Sequence, residues 1–277
     1  MFIDKEAIYK SLEWHSSPVD WCEPNYQILS YVAEFYNTFS CLIMVFVPPI
    51  AIYLFRNYAK AVNCGIQAIM FMLIVVGVTS MYFHGTLSLM GQLLDELSIL
   101  WVYALGVCLY CPSKYIPKSM CRKKFSVVIT AIALMFTVLS VWKPFVNAFA
   151  QMSLTIPIIY YVSTEIKNLK RNEKEVYKIG VKTLVMGITA VILWFNDRLF
   201  CEFYKSYGII YLHAIWHILS FTASYYASCL TAYFFVKLEK PSITCEIAYW
   251  PNNCNFKMFC IPYVEIISDK KVKKKKN

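Results

Sequence analysis

Charged side chains are scarce in this sequence: Asp, Glu, Lys and Arg make up only 16% of its 277 residues, where a soluble domain carries about 25%. It also has no Gly-rich phosphate-binding loop and no Asn-x-Ser/Thr glycosylation acceptor. What is abundant is apolar, since 58% of the residues are hydrophobic and the mean hydropathy is +0.49. One soluble core cannot bury that much apolar surface, so the composition predicts an integral membrane protein.

Long apolar segments repeat along the chain. A membrane-spanning helix needs about 20 mostly apolar residues. The candidates lie near residues 33–55, 62–83, 91–111, 124–142, 145–165, 179–200 and 209–236. We therefore expect an all-α fold, a seven-transmembrane helix bundle, with an N-terminal segment at 1–32, the transmembrane domain at 33–236 and a basic tail at 237–277.

Lys and Arg alternate between the two predicted faces of the membrane. One face carries Arg56 and Lys60, the 114–124 loop, the 167–178 loop and the lysine-rich C-terminus. The other face carries the acidic N-terminal segment and connections with few positive charges. Because positively charged loops stay in the cytosol, we expect the N-terminus to be lumenal or extracellular and the C-terminus cytosolic.

The formal net charge of +10 lies mostly on the predicted cytosolic face. In a membrane protein, anionic lipid headgroups explain such a charge better than nucleic acid does. The run from Lys270 to Lys276 is typical of a solvated tail. Lys274 and Lys275 also have the spacing of a dilysine retrieval signal, which predicts residence in the endoplasmic reticulum or Golgi membrane.

Three of the four histidines lie within or beside apolar segments. His213 and His217 are four residues apart, so on a helix they share one face and can bind one metal ion. His84 lies at the lumenal end of the second predicted span, level with this pair. Three histidine nitrogens with one open position are the ligand set of a catalytic zinc. The alternative is that each histidine separately bonds a neighbouring helix.

Two further polar residues fall at the same predicted depth. Ser80 lies one turn before His84, and Asp95 lies near the lumenal start of the third span. A carboxylate within a span is expensive and usually functional, so Asp95 is a candidate general base beside a metal-bound water. Glu96 is rotated by about 100° from it, and we expect it to be supporting or interfacial.

The motifs Val19-Asp-Trp-Cys-Glu23, Ser80-Met-Tyr-Phe-His84, Gly91-Gln-Leu-Leu-Asp-Glu96 and Tyr211-Leu-His-Ala-Ile-Trp-His217 are similar to those of the alkaline ceramidases. The resemblance covers nearly the whole chain. It places the protein in a seven-transmembrane, hydrolase-like superfamily that also includes receptors of the adiponectin and progestin type.

The resemblance implies hydrolysis of the ceramide amide bond to sphingosine and a free fatty acid. Zinc is then expected on His84, His213 and His217, with Asp95 as general base and then acid. Ser80 is expected to donate a hydrogen bond to the developing oxyanion. The helix bundle would receive the two lipid chains from the bilayer.

The N-terminal segment also offers a second set of metal ligands. Its side-chain oxygens suit calcium, although a solvated acidic loop is the alternative from the residues alone. The resemblance implies that calcium is held by the side chains of Asp20, Glu23, Asn25 and Glu34 and by the main-chain carbonyl of Trp21. We expect a structural role for this ion.

Several of the eleven cysteines, such as Cys41, Cys64, Cys108 and Cys229, lie within spans and are expected to pack as small apolar residues. Cys22 and Cys201 are both assigned to the oxidising lumenal face, which favours a disulfide between them. Asp197 and Arg198 are expected to form an interfacial ion pair.

Two other functions are compatible with intramembrane His and Asp residues. A receptor of the adiponectin or progestin type would share the zinc core, but it would be expected to have the opposite orientation and a longer soluble N-terminal region. A transporter or channel would use the same residues as a proton relay. That function needs no tightly bound metal.

Overall fold

A computed structural model of the chain describes residues 5–143, 146–169, 173–251 and 260–267. The predicted retrieval signal at Lys274 and Lys275 lies outside the described residues, as does most of the lysine-rich tail. So do Pro144 and part of the predicted basic loop at 167–178.

The described chain is mostly helical. Its helices are α1 (Lys5–Leu12), α2 (Phe35–Ser40), α3 (Leu42–Leu54), α4 (Arg56–Ala61), α5 (Gly65–Thr86), α6 (Leu89–Tyr110), α7 (Arg122–Trp142), α8 (Val146–Lys167), α9 (Lys174–Leu199), α10 (Cys201–Ser206) and α11 (Leu212–Glu239). A short 3-10 turn, Ser113–Tyr115, precedes α7, and two strands follow α11: β1 (Cys245–Trp250) and β2 (Ile261–Ile266).

Five helical segments of the described chain are long and apolar enough to cross a membrane. They are Phe35–Leu54 (α2 and α3 together), α5, α6, α7 and α9. Each overlaps a span predicted from the sequence. The two other predicted spans, 145–165 and 209–236, coincide with α8 and α11, which are long helices but are less apolar. The fold is therefore that of a mostly helical membrane protein.

Close helix packing holds the N-terminal half together. α5 packs against α3 on one side and α6 on the other, while α11 packs along α9. Gly77 of α5 makes the first contact possible, because a Cβ atom at this position would lie only 2.8 Å from the Cβ of Met44 in α3. α7 and α8 pack against α6. The N-terminal end of α11 thereby lies beside α2 and the C-terminal end of α5.

The C-terminal strands depart from the all-α expectation. β1 and β2 pair antiparallel, with Cys245 opposite Ile266 and Trp250 opposite Ile261. Both strands are rich in β-branched and aromatic residues, and Val264 is buried against the helix bundle. The hydroxyl of Tyr225 in α11 donates to the main-chain oxygen of Pro262 at 2.7 Å. Part of the predicted tail thus folds back onto the helices, because burying this apolar face is lower in free energy than exposing it to solvent.

Candidate metal centre

Three histidine side chains meet where α5 ends and α11 begins. His84 lies in the last turn of α5, and His213 and His217 lie in the first two turns of α11. Their ring centroids are 4.6 to 5.1 Å apart, and one nitrogen of each ring lies within 4.8 Å of the others. All three side chains are 1–2% exposed. The spacing predicted from the sequence thus brings these rings together in a buried cluster that can hold a metal ion.

The His84 ring is oriented by a buried carboxylate. Its Nδ1 bonds to Oε2 of Glu34, the residue that precedes α2. The same carboxylate accepts hydrogen bonds from the main-chain N–H of Trp21 at 3.0 Å and from Nδ2 of Asn37 at 3.1 Å. Because Glu34 accepts the proton of Nδ1, Nε2 of His84 keeps a free lone pair. Such carboxylate–histidine pairs are typical of metal ligands.

The His217 ring is oriented by a hydroxyl group. Oγ of Ser40 lies 2.7 Å from Nδ1 of His217, and it donates its own proton to the main-chain oxygen of Asn37 at 2.8 Å. Ser40 must therefore accept a hydrogen bond from Nδ1–H of His217. This choice of tautomer again leaves Nε2 unprotonated, as a metal ligand requires.

Aromatic rings hold the third histidine in place. Trp21 stacks on His213 with centroids 3.6 Å apart, and Trp216 stacks on it at 4.7 Å. Within the described ranges, Nδ1 of His213 and Nε2 of His84 are buried with no hydrogen-bond partner. A buried imidazole nitrogen normally has a partner, so these two free atoms fit a site built for a metal ion.

Asp95 and Ser80 reach the histidine cluster through a short series of contacts. Sγ of Cys41 lies 3.6 Å from Nδ1 of His217, and Ser80 lies beside both Cys41 and the carboxyl group of Asp95. Asp95 is 8% exposed, and its Oδ1 has no partner in the part of the chain that the structure describes. A free carboxylate oxygen is therefore linked to His217 through Ser80 and Cys41.

Acidic side chains of the N-terminal segment lie near one another, since Glu34 interacts with both Asp20 and Glu23. The carboxylate of Glu23 accepts hydrogen bonds from the main-chain N–H groups of Tyr36 at 2.6 Å and Asn37 at 2.8 Å. Burial raises the pKa of Glu23 to about 7, although these two hydrogen bonds act in the opposite direction. Nδ2 of Asn25 lies 3.3 Å from both carboxylate oxygens of Asp20.

The segment thus places the predicted calcium ligands in one loop, with the carboxyl groups of Asp20 and Glu34 beside each other. Among the described residues, the three histidines are the one group of at least three His, Cys, Asp or Glu side chains close enough to share a metal ion. Glu23 and Glu34 are instead used by α2 and by His84. The calcium site stays a prediction.

Comparison with known proteins decides the family. A model of the ceramidase family matches residues 13–265. The chain belongs to the ceramidase family. It is 46% identical over 253 residues to the alkaline ceramidase of Drosophila melanogaster, a match that covers 91% of this chain and 88% of that protein. It is also 36% identical over 260 residues to alkaline ceramidase 1 of Homo sapiens, which covers 93% of this chain and 97% of the relative.

This ceramidase-family chain ties its N-terminal segment to α9 and α10 near the histidines. A disulfide joins Cys22 and Cys201, whose Cα atoms are 5.3 Å apart. Oδ2 of Asp197 accepts a hydrogen bond from the main-chain N–H of Cys22 at 3.1 Å, while Arg198 donates to the main-chain oxygen of Asp20 at 3.2 Å.

The expected Asp197–Arg198 ion pair does not form among the described side chains, because Asp197 instead accepts from the main chain of Cys22 and Arg198 donates to the main-chain oxygen of Asp20. Consecutive residues of a helix point about 100° apart. Each side chain therefore contacts a different part of the N-terminal segment. Arg198 also lies 5.7 Å from the centre of the Trp21 ring, the ring that stacks on His213.

Two residues that orient the histidine rings of this ceramidase-family chain were not predicted from the sequence. Ser40 was not singled out, and Glu34 was assigned only to calcium. The signal was present, because Glu34, Asn37 and Ser40 are spaced by three residues at the start of an apolar span. Polar residues on one face of such a helix must find a buried partner.

Proposed function

We propose that this protein hydrolyses the amide bond of ceramide within the membrane and releases sphingosine and a free fatty acid. Its relatives in Drosophila melanogaster and Homo sapiens are alkaline ceramidases. The observation that carries the proposal is the buried cluster of three histidines, with the free carboxylate oxygen of Asp95 linked to it through Ser80 and Cys41. A buried site at the end of a helix bundle suits a substrate that arrives from the bilayer.

His84, His213 and His217 are the residues that would hold a zinc ion. Three neutral imidazoles leave one tetrahedral position for water or substrate, which is the ligand set of catalytic rather than structural zinc. A bound zinc supplies Lewis acidity and lowers the pKa of water to about 7. The hydrogen bonds to Glu34 and Ser40 fix two of the rings before any metal binds.

Asp95 and Ser80 would perform the proton transfer and stabilise charge. The free Oδ1 of Asp95 takes a proton from the attacking water, and the C–O bond forms at the amide carbon. Asp95 then delivers that proton to the amide nitrogen as the C–N bond breaks, which releases the amine of sphingosine. The hydroxyl of Ser80, beside Asp95, donates a hydrogen bond to the oxyanion of the tetrahedral state.

The direct test is fatty-acid release from ceramide by protein purified in detergent. His213→Ala and Asp95→Asn should each lower the rate by at least about a hundredfold. Ser153→Ala is a suitable control, because among the described residues the hydroxyl of Ser153 bonds to its own helix, at Ala150. Wild-type activity in Asp95→Asn would contradict the assigned base.

We further propose seven membrane spans with the N-terminus on the lumenal side. α8 and α11 supply the two spans beyond the five apolar ones. The Cys22–Cys201 disulfide supports an oxidising compartment on the N-terminal side, as in the endoplasmic reticulum or Golgi. Labelling of single cysteines by a membrane-impermeant reagent from each side tests this orientation.

A calcium ion is proposed in the N-terminal segment, where it would fasten the loop of Asp20, Trp21, Glu23, Asn25 and Glu34 against α2. Support comes from the oxygen-rich loop and from the buried Oδ1 of Asn25, which has no partner among the residues described. Calcium should raise the thermal unfolding temperature of the wild type and not that of Asn25→Leu. An equal rise in both would contradict this site.

A further inference from the structure

A polar cluster beside Asp95 has no part in the roles assigned above. Glu96 follows Asp95 on α6 and is turned toward α8. Its Oε1 accepts a hydrogen bond from Nε2 of Gln92 at 2.8 Å, and its Oε2 accepts one from Nδ2 of Asn147 at 3.4 Å. The main-chain oxygen of Glu96 accepts a hydrogen bond from Nε2 of Gln151 at 2.9 Å. These contacts join α8 to α6 at the level of the proposed general base.

Two polar atoms at this end of the bundle have unused hydrogen-bonding capacity. Asn147 and Ser140 are both 0% exposed. Across the described parts of the chain, neither Oδ1 of Asn147 nor Oγ of Ser140 has a hydrogen-bond partner. Ser140 lies near the end of α7 and Asn147 near the start of α8, and these helices pack together. Unpaired polar atoms inside an apolar bundle are costly, so they point to a ligand.

We propose that Glu96, Asn147 and Ser140 bind hydroxyl groups of the sphingoid part of ceramide, an inference that rests on the proposed ceramidase function. A hydroxyl donates to Oδ1 of Asn147 and accepts from Ser140. Being neutral, it also brings no charge into the membrane interior. The carboxylate of Glu96 can accept a hydrogen bond from a further hydroxyl, since its two hydrogen bonds from amide groups leave lone pairs unused.

The short separation between the amide and the hydroxyl groups of ceramide matches the neighbouring positions of Asp95 and Glu96 on α6. In ceramide the primary and secondary hydroxyls lie within a few bonds of the amide nitrogen. Asp95 and Glu96 are consecutive residues whose Cα atoms are about 3.8 Å apart. Although the two side chains point about 100° apart, their carboxyl groups are close enough to interact electrostatically, so an amide held at Asp95 brings its hydroxyls within reach of Glu96. These contacts would orient the amide and select for hydroxylated sphingoid bases.

The test removes the same contact from the substrate and from the protein. The kcat/KM of the purified protein is measured with ceramide, 1-deoxyceramide and 3-deoxyceramide carrying one acyl chain. Wild type should lose about tenfold or more with the analogue that lacks the bound hydroxyl. Asn147→Leu should lose a similar factor with ceramide but nothing further with that analogue. Gln151→Leu, the matched control on α8, should discriminate between the substrates as wild type does.

Two outcomes separate this proposal from the proposed function, and a second variant covers the case of misfolding. If Asn147→Leu lowers kcat/KM by one common factor for all three substrates, the cluster is structural and the hydroxyl site is refuted. If Asn147→Leu fails to fold, Ser140→Ala provides the same comparison with a smaller change. If wild type releases no fatty acid from any of the three, the proposed ceramidase function fails, and the hydroxyl site fails with it.

Discussion

Replacing Glu34 by glutamine removes one charge and changes one atom beside His84 of the histidine cluster. The wild-type carboxylate accepts hydrogen bonds from three donors, which belong to Trp21, Asn37 and His84. A glutamine side chain has only one acceptor oxygen, and its NH2 group must face at least one of these donors. Alternatively, the His84 ring adopts its other tautomer, which places a proton on the Nε2 atom that faces the metal site.

The expected loss of zinc affinity follows from this mismatch. A buried polar group left without its partner costs about 1–3 kcal/mol, and each 1.4 kcal/mol is about a tenfold change in a binding constant. We therefore predict that Glu34→Gln binds zinc about 5- to 150-fold more weakly than wild type. The hydrolysis rate at limiting zinc should fall by a comparable factor.

Glu23→Gln provides the matched control. Glu23 is also a buried carboxylate of the N-terminal segment and a predicted calcium ligand, but it contacts the main chain of α2 and no histidine. Zinc affinity is measured by competition with a chelating dye, and folding by thermal unfolding in detergent. Glu23→Gln should lower stability and leave zinc affinity unchanged. Equal zinc affinities in wild type and Glu34→Gln would refute the role given to Glu34.

Three further predictions concern single contacts. Ser40→Ala removes the partner of His217 and should weaken zinc binding by about tenfold, measured with the same dye. Cys22→Ser opens a disulfide across 179 residues and should lower the free energy of unfolding by about 2–5 kcal/mol; unchanged stability and unchanged mobility on non-reducing gels would contradict the bond. Asp197→Ala leaves the main-chain N–H of Cys22 unpaired, and should cost about 1–3 kcal/mol in thermal unfolding.

The helices were predictable because each long apolar segment carries its own signal. The segments near 62–83 and 91–111 are recognisable from length and hydropathy alone, and they become α5 and α6. The hairpin of β1 and β2 was not predictable in this way. Its strands are 6 residues each, and they are held by contacts with α11 that are distant in sequence.

The histidine cluster was likewise predictable where its residues are close in sequence and not where they are distant. His213 and His217 share a helix face, so their spacing predicts a metal pair directly. That Glu34 faces His84 depends on how α2 packs beside α5, 50 residues later. The partners of Asp197 and Arg198, which are main-chain groups of Cys22 and Asp20, were missed for the same reason. They lie 175 residues or more away in the sequence.

The central claim is that the three histidines hold a zinc ion that amide hydrolysis requires. The most direct measurement removes metal from the purified protein with a chelator and follows fatty-acid release from ceramide as zinc is returned. The account predicts that activity disappears on chelation and recovers fully at about one zinc per chain, and that His217→Ala shows no such recovery. Full activity in protein stripped of zinc would contradict it.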